Sequence, residues 1–278
     1  MAAKKDTVLG TLTVAFFVCV VCGIIVATAA VTLRPVQQEN MRLDKLANIL
    51  RAAGLYEPGQ DIDEAFKSID RRFVDIRTGE YVDMPEDYDQ RRASGDPAQS
   101  IRLSGSEDIA NIRRQAKVAE VFHARNDDGD LNYIILPVHG YGLWSTMYGF
   151  LALRPDANTI SGLGFYEHAE TPGLGGEIDN ARWQAQWEGK RLFDDDGNVA
   201  MRVARGSVSS DDPNYQHRVD GLSGATLTSD GVTNMLRFWA GENGFGPYLR
   251  RLQQGDISST VEDNVEHAQR DAVIEGEV

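Results

Sequence analysis

A chain of 278 residues has room for one or two domains, and its formal charge of −14 argues against a nucleic-acid partner, whose phosphates select Lys and Arg. With 42% hydrophobic residues it can bury a real core. Cys19 and Cys22 are its only cysteines, so no disulfide framework holds the soluble part together.

From Val8 to Leu33 the segment VLGTLTVAFFVCVVCGIIVATAAVTL runs without a charge. At about 1.5 Å of rise per residue it can cross a hydrocarbon core of roughly 30 Å. Ala27-Thr28-Ala29 has the small-x-small form of a cleavage site. Signal-peptide cores reach only about 15 residues, so the length predicts an uncleaved anchor. Lys4 and Lys5 precede the span and Arg34 is the first basic residue after it. The positive-inside rule therefore puts the N-terminus in the cytoplasm and the remainder outside. Cys19 and Cys22 share one helical face at i, i+3, but no further cysteine completes a metal site, and in lipid both act as small apolar residues.

Pro35 is expected to close the span. MRLDKLANILRAAG then predicts a helix, with Leu43, Leu46, Ala47 and Leu50 on one stripe and Gly54 as its stop. Ile62, Phe66, Ile69 and Phe73 suggest a second helix, and Arg72 to Val82 a short hairpin turning at Thr78-Gly79. Residues 84–108 are polar and rich in turn formers, the composition of a surface excursion or linker.

The pattern then changes to strands: LNYIILPV, STMYGFLAL and TISGLGFYE follow one another across Gly, Pro and Asn/Asp turns. A helical stretch is expected over Asn180–Trp187, and RLFDDDGNVAMRV reads as a hairpin turning at Asp195–Asn198. Helices and strands segregate rather than alternate, so the fold class is α+β. After Gly255 seven acidic residues face Arg270 alone, the composition of a disordered tail. The expected organisation is an anchor over 1–35, membrane-proximal helices and the polar excursion over 36–120, a main domain over 121–254 and the tail over 255–278.

Several chemistries are excluded by spacing. The five histidines form no H-x-x-x-H or H-E-x-x-H, and Asn126–Asp130 lacks the spacing and closing Glu of a calcium loop. Gly221-Leu-Ser223-Gly-Ala225 is short of a nucleophile elbow: Ala225 replaces the last Gly, the preceding segment is polar, and the only later His lies in the tail. No phosphate-binding loop of the G-x-x-x-x-G-K-[ST] or G-x-G-x-x-G type opens a helix after a strand.

Two segments remain. DGLSGATLTSDG, Asp220–Gly231, crowds Ser223, Thr226, Thr228 and Ser229 in front of an amphipathic run with Val232, Leu236 and Trp239 on one side. The residues by themselves reach either a helix cap at Thr228 or Ser229 or a phosphate site at the helix N-terminus. Glu170-Thr-Pro-Gly-Leu-Gly-Gly176 follows the strand GLGFYE as a tight, glycine-rich turn.

Together, ETPGLG and DGLSGATLTS resemble the FMN-binding domain of the Nqr/Rnf family, which includes subunits of Na(+)-translocating NADH:quinone reductases. The resemblance extends over the anchor, NILRAAGL, GLWSTMYGFLAL, ETPGLGGEIDN, KRLFDDDGN, VDGLSGATLTSDGV and GFGPYL, and favours the Nqr form over the G-type subunit of Rnf complexes. It implies that D-x-x-[ST]-G-A-[ST] is the substrate of a flavin transferase, with Asp220, Ser223, Gly224 and Ala225 recognised and Thr226 carrying FMN as a phosphoester. Glu170, Thr171, Gly173, Leu174 and Gly175 would then lie at the flavin, with Glu170, Thr171 and Leu174 as candidate ring contacts. It further implies a single-span inner-membrane protein with its FMN domain periplasmic. Its partners would be Nqr subunits A, B, D, E and F, and it would pass electrons from an iron–sulfur centre to another flavin. The rival from another class is an anchored scaffold module whose hydroxyls only cap a helix.

Overall fold

A computed structural model of the chain describes residues 7–126 and 128–255. Lys4, Lys5 and the acidic tail lie outside the described residues. The chain divides into two compact units, Met1–Lys45 and Leu46–Val278.

The first unit is most of helix α1, Val8–Ala52. Its apolar stretch is exposed around its whole circumference, as a lipid-facing helix requires. Pro35 does not close it: α1 runs 45 residues with Pro35 inside. The proline removes one N–H and costs about 3 kcal/mol. The strong helix formers on its C-terminal side carry the helix onward, with an i,i+3 ion pair between Glu39 and Arg42 at 2.8 Å.

The second unit is α+β. In chain order it holds α2 (Ile62–Phe66), β1 (Ile69–Asp75), α3 (Gln90–Gly95), β2 (Ser100–Arg102), β3 (Arg114–Ala116) and β4 (Val118–Arg125). There follow β5 (Leu131–Tyr141), β6 (Thr146–Leu153), β7 (Ile160–Glu167), α4 (Ala181–Gln184), β8 (Arg202–Val203), β9 (Arg218–Val219), α5 (Thr226–Ala240) and α6 (Gly246–Gln254). The main sheet has the order β1-β4-β5-β6-β7 and is antiparallel throughout.

Strand alternation sends successive residues to opposite faces. Val121, Ile134, Leu136, Val138 and Leu151 enter one cluster with Val232, Met235, Leu236 and Trp239 of α5. Their neighbours Phe122, Ile135, Phe150 and Ala152 enter a second cluster with Ile49 and Leu50 from the end of α1. The sheet is thus sandwiched between α5 and the last turns of α1. Gly231 sets how closely α5 approaches: a Cβ there would stand 2.6 Å from the Tyr141 carbonyl oxygen. Further along α5, the Trp239 Nε1–H donates to the His139 carbonyl at 2.7 Å.

Three sequence expectations change. The second helix stops at Phe66, because Ile69 to Asp75 pair with Ala124 to Val118 of β4, and strand pairing overrides a helical spacing. β4 itself, buried over six consecutive residues, was not anticipated, because Glu120 and His123 interrupt its apolar run. Residues 84–108 are a structured cover, not a linker. Gln90, Ala93 and Ser100 are buried; the Gln90 side-chain oxygen accepts the Glu120 N–H at 2.9 Å; Arg91 pairs with Glu167 at 2.6 Å. Polar contacts hold it, so composition conceals it. The hairpin at Thr78-Gly79, the three strands β5 to β7 and the helical stretch at 180–187 stand where expected.

One buried polar group sets a pH limit on this fold. The His123 side chain is fully buried on β4, with Nε2 at 2.6 Å from the Tyr248 hydroxyl of α6. Burial, then the neighbouring Arg72 and Arg125 charges, push the imidazole down to about 3. The folded chain keeps it neutral, whereas the unfolded chain protonates it near pH 6.5, so acid favours unfolding. The expected loss is up to about 1.4 kcal/mol per pH unit, beginning at about 6.5 and ending at about 3. Urea melts at about pH 7 and about pH 4.5 test it: wild type should lose more stability between them than His123→Asn. Equal losses would refute the assignment.

Candidate cofactor site

The two segments singled out from sequence meet at the N-terminus of α5. Gly140, like Gly231, has no side chain in the contact with α5, where a Cβ would stand 2.8 Å from Met235 Cβ. The first turn of the helix is thereby brought against the β5–β6 turn, Gly142–Ser145. The glycine-rich turn after β7 closes the third side.

Glu170 joins all three. It is 5% exposed, and its Oε1 accepts the backbone N–H groups of Leu143 and Trp144, each at 3.0 Å. Its Oε2 accepts the Thr228 hydroxyl at 2.6 Å. Its own N–H donates to His168 Nδ1 at 3.1 Å, and His168 Nε2 lies 2.8 Å from Asp179. The Ala169 N–H donates to the Ser145 hydroxyl at 2.8 Å, and the Trp144 indole N–H donates to the Thr171 hydroxyl at 3.1 Å. The ETPGLG turn is therefore tied to the β5–β6 turn by side-chain bonds on both sides of Glu170.

The hydroxyl cluster divides its labour differently from expectation. Helix α5 starts at Thr226 with Ala225 as N-cap, and no side chain caps it. Thr228 is fully buried and turned to Glu170. Ser229 is 4% exposed, and its hydroxyl accepts the Leu222 N–H at 3.1 Å. The cap assignment to Thr228 or Ser229 is thus overturned: the helix begins one turn earlier, and both hydroxyls point away from its open end. Thr226 is exposed at the first helical position. The first intrahelical bond runs from the Ser229 N–H to the Ala225 carbonyl, and the N–H groups of Thr226, Leu227 and Thr228 have no acceptor among the described residues. Such a turn favours an anion.

The remaining site residues support this turn. Asp220 Oδ1 accepts the Val208 N–H at 2.7 Å, its N–H donates to Gln186 at 2.9 Å, and its carbonyl accepts the Trp183 indole at 2.8 Å. It shapes the loop from behind. Ser223 is exposed, Ala225 is buried, and Gly173 and Gly224 take positive φ of 76° and 70°. Leu174 lies over Gly224, where a Cβ would stand 3.0 Å from Leu174 Cδ2. Leu174, Leu227 and Trp144 are 43%, 61% and 63% exposed, one apolar side chain on each of the three segments that Glu170 joins, together an apolar shelf. Trp144 and Thr228 are positions bound into this site that sequence reasoning missed. A Trp inside a Gly–Ser turn was the available signal for Trp144, whereas the spacing of Thr228 matched that of a cap.

These features fit a phosphorylated flavin: a free hydroxyl, open N–H groups for a phosphate and an apolar shelf for a flat ring. Residues 142–241 match the family model of the FMN-binding domain, a span that includes every residue of the site. The C subunit of the Na(+)-translocating NADH-quinone reductase of Neisseria meningitidis is 49% identical over 91% of this chain and 98% of its own length. Its namesake in Yersinia pestis is 47% identical over 92% of this chain and 97% of its own length. The chain belongs to the C-subunit family of Na(+)-translocating NADH-quinone reductases. The crystal structure of Shewanella oneidensis NqrC, 38% identical, aligns with a TM-score of 0.71 over 77% of this chain and 99% of that one. The corresponding C-subunit structure from Parabacteroides distasonis, 28% identical, aligns at 0.58 over 80% of this chain and 96% of that one.

The packing at Glu170 yields a stability test. A Cβ at Gly175 would stand 2.5 Å from Thr228 Oγ1 and 2.8 Å from Glu170 Oε2. Gly175→Ala should therefore cost about 1–3 kcal/mol in urea unfolding, the usual penalty of overpacking. Gly164→Ala, with nothing within 4 Å of the new methyl, should be nearly silent.

Proposed function

We propose that this member of the Nqr complex carries its FMN covalently, as a phosphoester between the ribityl phosphate and Thr226 Oγ1. Membership of the C-subunit family and the FMN-binding domain over 142–241 support an FMN carrier. The observation that carries the choice of residue is the contrast among the helix-start hydroxyls: Thr226 is exposed, whereas Thr228 and Ser229 are buried and engaged. The unbonded N–H groups of the same turn would receive the phosphate oxygens. Asp220, Ser223, Gly224 and Ala225 would present the loop to a flavin transferase. Gly173, Leu174 and Gly175 would bring the turn and the shelf to the ring, with Thr171 holding the Trp144 indole.

A bound flavin supplies one- and two-electron chemistry, while the protein binds, orients and tunes it. Tethering at the phosphate leaves the ring free, so Thr226 takes no part in electron transfer. In the complex such a flavin would receive electrons from an iron–sulfur centre and pass them to one in the B subunit, with subunits A, D, E and F completing the assembly. The charge-free span from Val8 to Leu33, with Lys4 and Lys5 before it, supports a single-pass anchor with the N-terminus cytoplasmic and the FMN domain periplasmic in the inner membrane. NADH oxidation, quinone reduction and sodium export belong to the whole complex.

The test is a denaturing gel of the full chain co-produced with the flavin transferase. Wild type should give a fluorescent band and Thr226→Ala none. The tryptic peptide should carry the mass of FMN minus water on Thr226; that mass on Thr228 would refute the residue, and a dark wild-type band would refute covalent attachment.

A further inference from the structure

Attachment at Thr226 leaves Glu170 without a role at the tether, yet its carboxylate is buried under both elements that would hold the flavin. Two of its donors, the N–H groups of Leu143 and Trp144, come from the turn that presents the exposed Trp144 ring. The third, the Thr228 hydroxyl, comes from the helical turn that presents Thr226. No Lys or Arg pairs with it among the described residues. Hydrogen bonding does not require the charge. A Gln at 170 could accept both N–H groups through its carbonyl and donate to the Thr228 oxygen, which can accept. Burying an ion where an amide would serve costs free energy that packing does not return.

We propose that the Glu170 carboxylate sets the reduction potential of the flavin held at Thr226, by fixing a negative charge beneath the surface on which the ring lies. This rests on the covalent attachment proposed for Thr226. Electron uptake adds negative charge to the ring; the electrons come from the reductant, and any proton that follows comes from solvent. A like charge held nearby, partly shielded from water, opposes that uptake and lowers the potential. Glu170 itself takes up no electron, and both its oxygens are held by donors from the turn and the helix. It is a positioning residue, acting through the turn and helix it joins and through its field.

The experiment uses the full chain, flavinylated by the transferase and purified in detergent, titrated with dithionite against a reference dye. Glu170→Gln should retain the fluorescent band and raise the potential, shifting the oxidised-to-reduced ratio at fixed potential at least about tenfold, which is 59 mV for a one-electron couple. Thr228→Val removes a hydrogen bond but keeps the charge, so it should lower the melting temperature without raising the potential. A labelled Glu170→Gln protein with unchanged or lower potential overturns the inference and leaves the attachment intact. Equal rises in both variants also overturn it, since the effect would then be structural. Should Glu170→Gln yield no labelled protein, Thr228→Val decides: a raised potential overturns the inference, an unraised one supports it. A dark wild-type band removes the attachment and the inference together.

Discussion

Three donors from two distant parts of the chain converge on the two oxygens of Glu170, and the site exists only because they do. The backbone N–H groups of Leu143 and Trp144 fix the β5–β6 turn, and the Thr228 hydroxyl fixes the first turn of α5. Hydrogen bonds to an ionised group contribute about 1.5–3 kcal/mol each, and leaving such donors buried without the acceptor costs a similar amount. The position leaves no spare volume: Gly142 and Gly175 both stand where a Cβ would meet the carboxylate. The same bonds that hold the turn and the helix together decide what α5 presents to solvent. With Thr228 drawn inward, one turn of open N–H groups and one hydroxyl, that of Thr226, remain outside.

That division explains a feature of the chain that a helix cap alone does not. A start that needed only capping would use one Ser or Thr to accept a first-turn N–H. Here the N-cap is Ala225, the two inward hydroxyls are spent on Glu170 and on the Leu222 N–H, and the helix end stays unsatisfied. A protein leaves helix N–H groups open at a surface where water or an anion can take them. The Asp220 carboxylate, which could have served as such an anion, is held behind the loop by Val208 and Gln186.

Legibility in the sequence followed the kind of force involved. Strands β5 to β7 are short runs of β-branched, aromatic and other apolar residues bounded by Gly, Pro and Asn/Asp turns, so composition and punctuation revealed them, and segregation of helices from strands gave the class. β1 and β4 are held by pairing with each other: Ile69 and Phe73 sit at spacings that suit a helix as well, and Glu120 and His123 mask the burial of β4. The cover over 84–108 is held by Arg91 bonding to Glu167, the Gln90 side chain to the Glu120 N–H, and Arg71 of β1 to the Glu86 carbonyl, which composition reads as ordinary polar surface. At the site, the motif residues were readable by resemblance, but the roles were not. Whether a Glu or Thr faces in or out depends on contacts some 58 residues away in the chain, as Thr228 and Glu170 show. Continuity of α1 past Pro35 was hidden for a similar reason, since a proline marks the loss of one bond, not the fate of the helix.

The openness of the shelf bears on why a tether suits it. Pockets that retain a ligand by contact alone bury about 70–90% of its surface. Trp144, Leu227 and Leu174 form a surface rather than an enclosure, each more than two-fifths exposed. A flavin resting there would be held weakly by apolar contact, and one covalent bond at the phosphate would remove the need for enclosure. Such a bond would raise the local concentration of the ring at its shelf without covering it, as linked binding modules do. A ring held this way remains accessible to another redox centre, which an electron carrier requires and an enclosed active site does not. On that reasoning the shallow site, the free hydroxyl of Thr226 and the buried carboxylate of Glu170 would serve one arrangement: attachment by the phosphate, exposure of the ring, and control of its electron affinity from below.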